Sequence, residues 1–242
     1  MEYSKHLSKA KSVAFSVAAI IVSIGTWSDT EAVIISNYQR VEATFTNTNE
    51  YNLIDKINVG HSFEYLSSLT GVSQAVKSSK IDEEVRFYYY NFRKFLLSVA
   101  VKQGRVASYS IQALVPDFNV NIPFSNAQLD QQSLSRVISV PDESYFESGN
   151  SNFYLDSISL GRDAMYNTLM VGSFQYITFD SDMDKKISKL DDAFVLGDEK
   201  REQELKSAIR SRSANTFVIG ELTEPLLIEM LLSKFEYSAY FS

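Results

Sequence analysis

The residues best arranged for chemistry are Asp180-Ser-Asp182-Met-Asp184-Lys-Lys-Ile187-Ser-Lys-Leu-Asp191. Carboxylates at the first, third, fifth and twelfth positions, with an Ile at the eighth, form the pattern by which a loop wraps oxygen ligands around calcium. The chain departs from it twice. Lys185 stands where a Gly makes the sharp turn, and Asp191 is shorter than the bidentate Glu. A second reading uses the same residues without metal: an acidic surface loop leading into a helix N-terminus, where the helix dipole favours carboxylates. Asp180, Asp182, Asp184 and Asp191 are therefore the candidate metal ligands, and calcium the one candidate cofactor.

Other chemistries lack material. The chain has no Cys and two His, so thiolate chemistry and Cys-zinc sites are excluded, and a His-based dyad would have to be built from His6 and His61. No Gly-rich phosphate loop and no Gly-x-Ser-x-Gly is present. The aromatic run Phe87-Tyr-Tyr-Tyr-Asn-Phe92 offers a stacking surface in principle. Strand residues alternate, however, so at least one of its faces belongs to the core. The expectation is a chain without catalytic residues. A metal-regulated or hydrolytic enzyme using Asp180–Asp191 is the alternative.

These residues need a scaffold, and the composition supplies one: 242 residues, 45% hydrophobic and 13% aromatic, suffice for a sizeable core. The formal net charge is −7. A surface of that sign repels phosphate backbones, so nucleic acid is not an expected partner.

Lys5, His6, Lys9 and Lys11 precede the uncharged run Val13–Trp27, in which Val13, Phe15, Ile20, Ile21, Ile24 and Trp27 are the expected lipid-facing anchors. The run Ser12–Ser28 lies at the short end of the roughly 17–25 residues that span a hydrocarbon core. Lysines on its N-terminal flank keep that end in the cytoplasm. The expected topology is a single-pass signal anchor in a bacterial inner membrane with the body outside. Ser23-Ile24-Gly25 leaves open cleavage after Gly25. A reversed topology, with the body as a cytoplasmic sensor, is also open.

Past a connector at 29–53, the expected organisation is α+β: a transmembrane helix, then antiparallel sheet with packed helices. In 54–115, Ser62 caps a helix carrying Phe63, Leu66 and Leu69, and Gly71 stops it. Glu84–Phe92, Phe95–Val101 and Val106–Ala113 read as strands, the last two joined by a tight turn at Gly104. In 116–242, strand-like runs at Arg136–Val140, Asn152–Leu160 and Tyr166–Phe179 precede a helix capped by Asp198 and another starting at Thr223. Tyr237–Phe241 reads as a closing strand. Whether 116–242 is independent or completes the first sheet is open.

The spacing Ile57-x-x-Gly60-x-Ser62-x-x-x-Leu66-x-x-Leu69-x-Gly71, followed by the aromatic strand and the hairpin at Gly104-Arg105, resembles the SmpA/OmlA repeat of small bacterial outer-membrane lipoproteins of the BamE type. The resemblance covers Ile57 to about Ala113. Ser73 stands where that family carries Pro, and the lipid-bearing Cys is absent, so the chain is not the assembly lipoprotein itself. The resemblance implies a non-catalytic, protein-binding module of the cell envelope, with a protein partner and a membrane as neighbours.

Overall fold

The computed structural model describes residues 47–175 and 180–241. The expected membrane segment at 1–28 lies outside them, and among the described residues no helix is long and apolar enough to cross a membrane. Residues from Leu53 onward form one compact unit. The end of the expected connector is helical, as the first helix, α1, is Asn47–Ile54.

The body is α+β, built on one antiparallel sheet of eight strands: β1 (Ala75–Ser78), β2 (Val85–Asn91), β3 (Phe95–Lys102), β4 (Arg105–Ala113), β5 (Glu143–Glu147), β6 (Phe153–Ser159), β7 (Thr168–Phe174) and β8 (Thr216–Gly220). Their spatial order is β1-β2-β3-β4-β8-β7-β6-β5. Segment 116–242 thus completes the first sheet, because β8 pairs antiparallel with β4, Ser110 opposite Val218, and with β7, Met170 opposite Val218.

Local chemistry sets the first half. Ser62 accepts from the Tyr65 amide and caps α2 (Phe63–Thr70), and Gly71, at φ 76°, ends it by donating to the Ser67 carbonyl. Gln103 and Gly104, at φ 51° and 74°, make the two-residue turn whose twist suits a hairpin. β3 is apolar almost without alternation because both faces are covered, and only Lys102 escapes burial. The front face carries Phe87, Tyr89, Leu96, Leu155, Met170 and Val218 into one core with Leu226, Leu227, Met230 and Leu232 of the C-terminal segment. The back face meets α2 through Phe63 and Tyr88, whose rings lie 4.2 Å apart. The aromatic run is therefore mostly core: Phe87, Tyr89 and Tyr90 are buried, and the half-buried Tyr88 packs on Phe63.

The two halves of the sheet repeat each other. Phe63 donates to the Gly104 carbonyl at 2.9 Å and Leu134 donates to Arg212 at 2.8 Å; Gly60 donates to Val106 at 2.8 Å and Asp130 to Ala214 at 2.9 Å. The bridges Ser62–Arg105 and Ser133–Ser213 match in the same way. Each copy is a short helix, α2 or α3 (Leu134–Val137), followed by a four-stranded meander. One difference dominates. Gln103-Gly104 joins β3 to β4, whereas residues 175–215 join β7 to β8 and contain α4 (Ser181–Leu196) and α5 (Glu199–Arg210).

Four sequence expectations are corrected. The run Arg136–Val140 is not a strand, since Leu134–Val137 is a helical turn that starts directly after Ser133. The helix from Thr223 is split into α6 (Glu224–Glu229) and α7 (Lys234–Phe241), and the latter replaces the expected closing strand. Finally, the short β1 adds a fourth strand to the first meander, pairing Val76 with Tyr88.

Candidate functional site

The expected calcium loop is a helix. Ser181–Leu196 is α4, and Asp180 is its N-cap, the side chain accepting from the amides of Asp182 and Met183. A cap needs an acceptor with extended backbone before the first turn, and Asp180 supplies it at φ −114°, ψ 109°. Asp182 pairs with Lys186 one turn on, Asp184 accepts from Asn152, and Asp191, in the third turn, accepts from Ser148 at 2.6 Å. A twelve-residue wrap around a cation is incompatible with three turns of helix, because helical periodicity spreads these side chains along a rod. No cluster of three or more His, Asp or Glu able to hold a metal is found among the described residues.

A polar cavity of about 490 Å³ opens where the α4–α5 insertion leaves and rejoins the sheet, lined among others by Asp117, Asp130, Gln175, Asp180, Arg212 and Asn215. Its walls are held by the sheet itself. Asn215 brackets Phe174, accepting from its amide at 2.9 Å and donating to its carbonyl at 2.8 Å, which locks β8 to β7. The Gln175 side chain accepts from the Asp180 amide at 2.8 Å and so fixes the start of α4. Arg212 donates to Asp180 at 2.7 Å, joining the end of α5 to the start of α4.

Its carboxylates differ by environment. Asp180 is held below the usual carboxylate range, chiefly by the Arg212 guanidinium. Asp130 is pushed up to about 6, first by burial and further by the charge of Asp117, against a hydrogen bond from the Phe118 amide. Asp130 also stands where the first copy has Gly60, and both are left-handed, at φ 60° and 89°. Asp tolerates that conformation better than most side chains. Nothing in the polar run 125–135 marks it out beforehand, because its role follows from a backbone bond to Ala214 far along the chain.

The other end of the insertion is a tip. Met183, Ile187, Leu190 and Ala193 form the buried stripe of α4. Gly197, left-handed at φ 69°, ends the helix by donating to Ala193 and Phe194. Directly before it, Phe194, Val195 and Leu196 are exposed to 60%, 77% and 81%. The Phe194 ring meets Phe146 of β5 edge-on at 5.5 Å, and Lys206 of α5 lies 5.4 Å over the Phe146 ring. Beside them Glu147 is pushed above the usual carboxylate range by burial and by the charge of Asp191. Neither part of this surface was marked in advance. Three adjacent apolar residues ahead of Gly197-Asp198 are the only local signal for it.

No family model matches the chain, and no curated protein does. Among solved structures, a cysteine-rich secretory protein of Staphylococcus aureus is similar over 72% of this chain and 47% of its own, at 14% identity and a TM-score of 0.39. An extracellular protein of Bacillus anthracis that contains an SCP domain is similar over 71% of this chain and 46% of its own, at 9% identity and a TM-score of 0.35. The chain spans less than half the length of either. A likeness of this degree carries neither an activity nor a partner across.

Proposed function

We propose that the chain is a membrane-anchored protein of the bacterial envelope whose acidic body, held outside the inner membrane, binds another protein and performs no catalysis. The anchor is the apolar run Val13–Trp27 behind its lysine flank. The likeness of Ile57–Ala113 to the SmpA/OmlA repeat supports a binding module. The observation that carries the reading is the α4–α5 insertion. The first copy closes the same connection with two residues, and the second extends it into a helical hairpin whose end exposes Phe194, Val195 and Leu196 together. Contiguous exposed apolar side chains with a charged surround are the makings of a protein interface, where such anchors carry most of the binding energy.

The test is cross-linking of the full chain in intact bacterial membranes. The native chain should yield one stoichiometric adduct, and Leu196→Asp should lose it while melting normally. A reporter that is active only outside the cytoplasm, fused after Ser242, should be active. A chain found wholly in the supernatant, or an adduct indifferent to Leu196→Asp, would sink the reading.

A further inference from the structure

We infer that the outer edge of β5 takes up an extended segment of the partner as an added strand, and that this segment alternates basic with apolar residues. The inference rests on the protein-binding reading above and specifies the partner's chemistry.

β5 ends the strand order and among the described residues pairs only with β6. Its orientation follows from the neighbouring ladder. Gln175 donates to the Asn152 carbonyl at 3.1 Å and Leu160 to the Asn167 carbonyl at 2.8 Å, so the even-numbered residues of β6 turn their backbone groups to β7. The odd-numbered Phe153, Leu155 and Ser157 then turn to β5, where they face Glu147, Tyr145 and Glu143. Ser144 and Phe146 are left with backbone N–H and C=O groups directed away from the sheet, which is what an incoming strand requires.

Charge selects the occupant. Glu147 and Asp191 lie close enough for the second to raise the first, and neither has a cationic partner among the described residues. A second copy of β5, paired antiparallel about Tyr145, would set Glu143 against Glu147 on both sides, and like charges opposite one another oppose pairing. The same carboxylates favour a strand bearing Lys or Arg. Phe146 and the exposed Phe194, Val195 and Leu196 supply apolar contact on one side of that strand, so its other residues should be apolar.

The experiment uses the full chain in detergent with a short capped peptide of alternating lysine and valine, and a glutamate–valine peptide as control. Amide hydrogen exchange is read residue by residue. The lysine peptide should slow exchange at Ser144 and Phe146 saturably, by about tenfold or more, while the control leaves them unchanged. Glu147→Lys and, on the other element, Asp191→Asn should each weaken the effect several-fold with the melting temperature kept. No saturable slowing at Ser144 and Phe146, equal slowing by the control, or slowing confined to another surface would each overturn strand addition. Capture in membranes separates the two claims: an adduct that survives Glu147→Lys but not Leu196→Asp overturns the β5 edge and leaves the protein-binding reading standing, whereas a native chain that captures nothing removes that reading itself.

Discussion

Arg210, at the end of α5, donates from Nε at 2.7 Å to the carboxylate of Asp156, which is fully buried on the back of β6. Ser144 and Tyr154 donate to the other carboxylate oxygen at 2.7 and 2.8 Å, and the guanidinium also reaches the Ser139 carbonyl at 3.1 Å. The insertion is thus fastened to the sheet by a charge that water does not reach. Arg210→Met leaves that carboxylate uncompensated and should cost about 3–5 kcal/mol in urea unfolding. Asp156→Asn leaves a guanidinium that still touches solvent and should cost roughly half as much. The double variant should lose less than the two single losses added, because removing both partners strands no charge.

Gly172 and Gly220 leave no room for a side chain beside their neighbouring strands. A Cβ on Gly172 would lie 1.9 Å from the Tyr154 carbonyl oxygen, and one on Gly220 2.1 Å from the Ser108 Cβ. Neither neighbour is the end of a flexible side chain, so the ladder itself must shift. Gly172→Ala and Gly220→Ala should each cost about 3 kcal/mol or more. Gly197→Ala meets open space and suffers only from its left-handed φ of 69°, so about 1 kcal/mol is expected. Melting the three variants side by side tests the ranking.

The first copy was legible almost throughout because its signals are local. Ser62, Gly71 and Gly104 act within a few residues of themselves, and β2 to β4 follow one another in sequence and in space. The second copy was legible only in pieces. β6 read to within a residue at each end and β7 lies inside the longer expected run Tyr166–Phe179, whose residues 176–179 are outside those described, but the pairing of β8 with β4 joins residues about a hundred positions apart, and periodicity says nothing of partners at that range. Arg136–Val140 has the β-branched content of a strand, yet the Leu134 amide is bound to the Arg212 carbonyl and the segment turns helically behind Ser133. At the site, Asp180 was marked for its carboxylate alone, as a calcium ligand or as part of an acidic loop before a helix, and its place as the cap of a helix that runs through Asp191 was not read. Asp117 and Asp130 had no sequence mark, since the cavity they line exists only once the insertion closes on the sheet.

Asp180 both caps α4 and holds Arg212 at 2.7 Å. Asp180→Ala should lower stability by about 1 kcal/mol, most of it from the cap, because the ion pair is well exposed and worth little. Asp180→Asn keeps the cap acceptor and should recover most of that loss. If the helix rather than a loop is what these carboxylates build, millimolar calcium should leave the melting temperature of the native chain unchanged, whereas an occupied site would raise it by mass action. Differential scanning fluorimetry with and without calcium distinguishes the two.

Asp130 provides the pH dependence. Its folded pKa is raised from 3.8 to about 6, chiefly by burial, so ionisation opposes folding. Its contribution to stability is therefore whole below about pH 4 and is lost as pH rises through 6. Asp180 in the same cavity runs the other way: lowered by Arg212, it contributes above the usual carboxylate range and loses that contribution on acidification. The difference between native chain and Asp130→Asn isolates the first group, since Asn also tolerates the left-handed backbone and keeps the amide bond to Ala214. Below pH 4 the two should unfold with nearly equal free energies. Between pH 4 and 7 the native chain should fall behind the variant by about 1 kcal/mol, a figure reduced for the solvent that still reaches the carboxyl. Urea unfolding of both chains at intervals across that range reads the gap directly, and a gap that is constant with pH would show that the Asp130 carboxyl titrates like a free one.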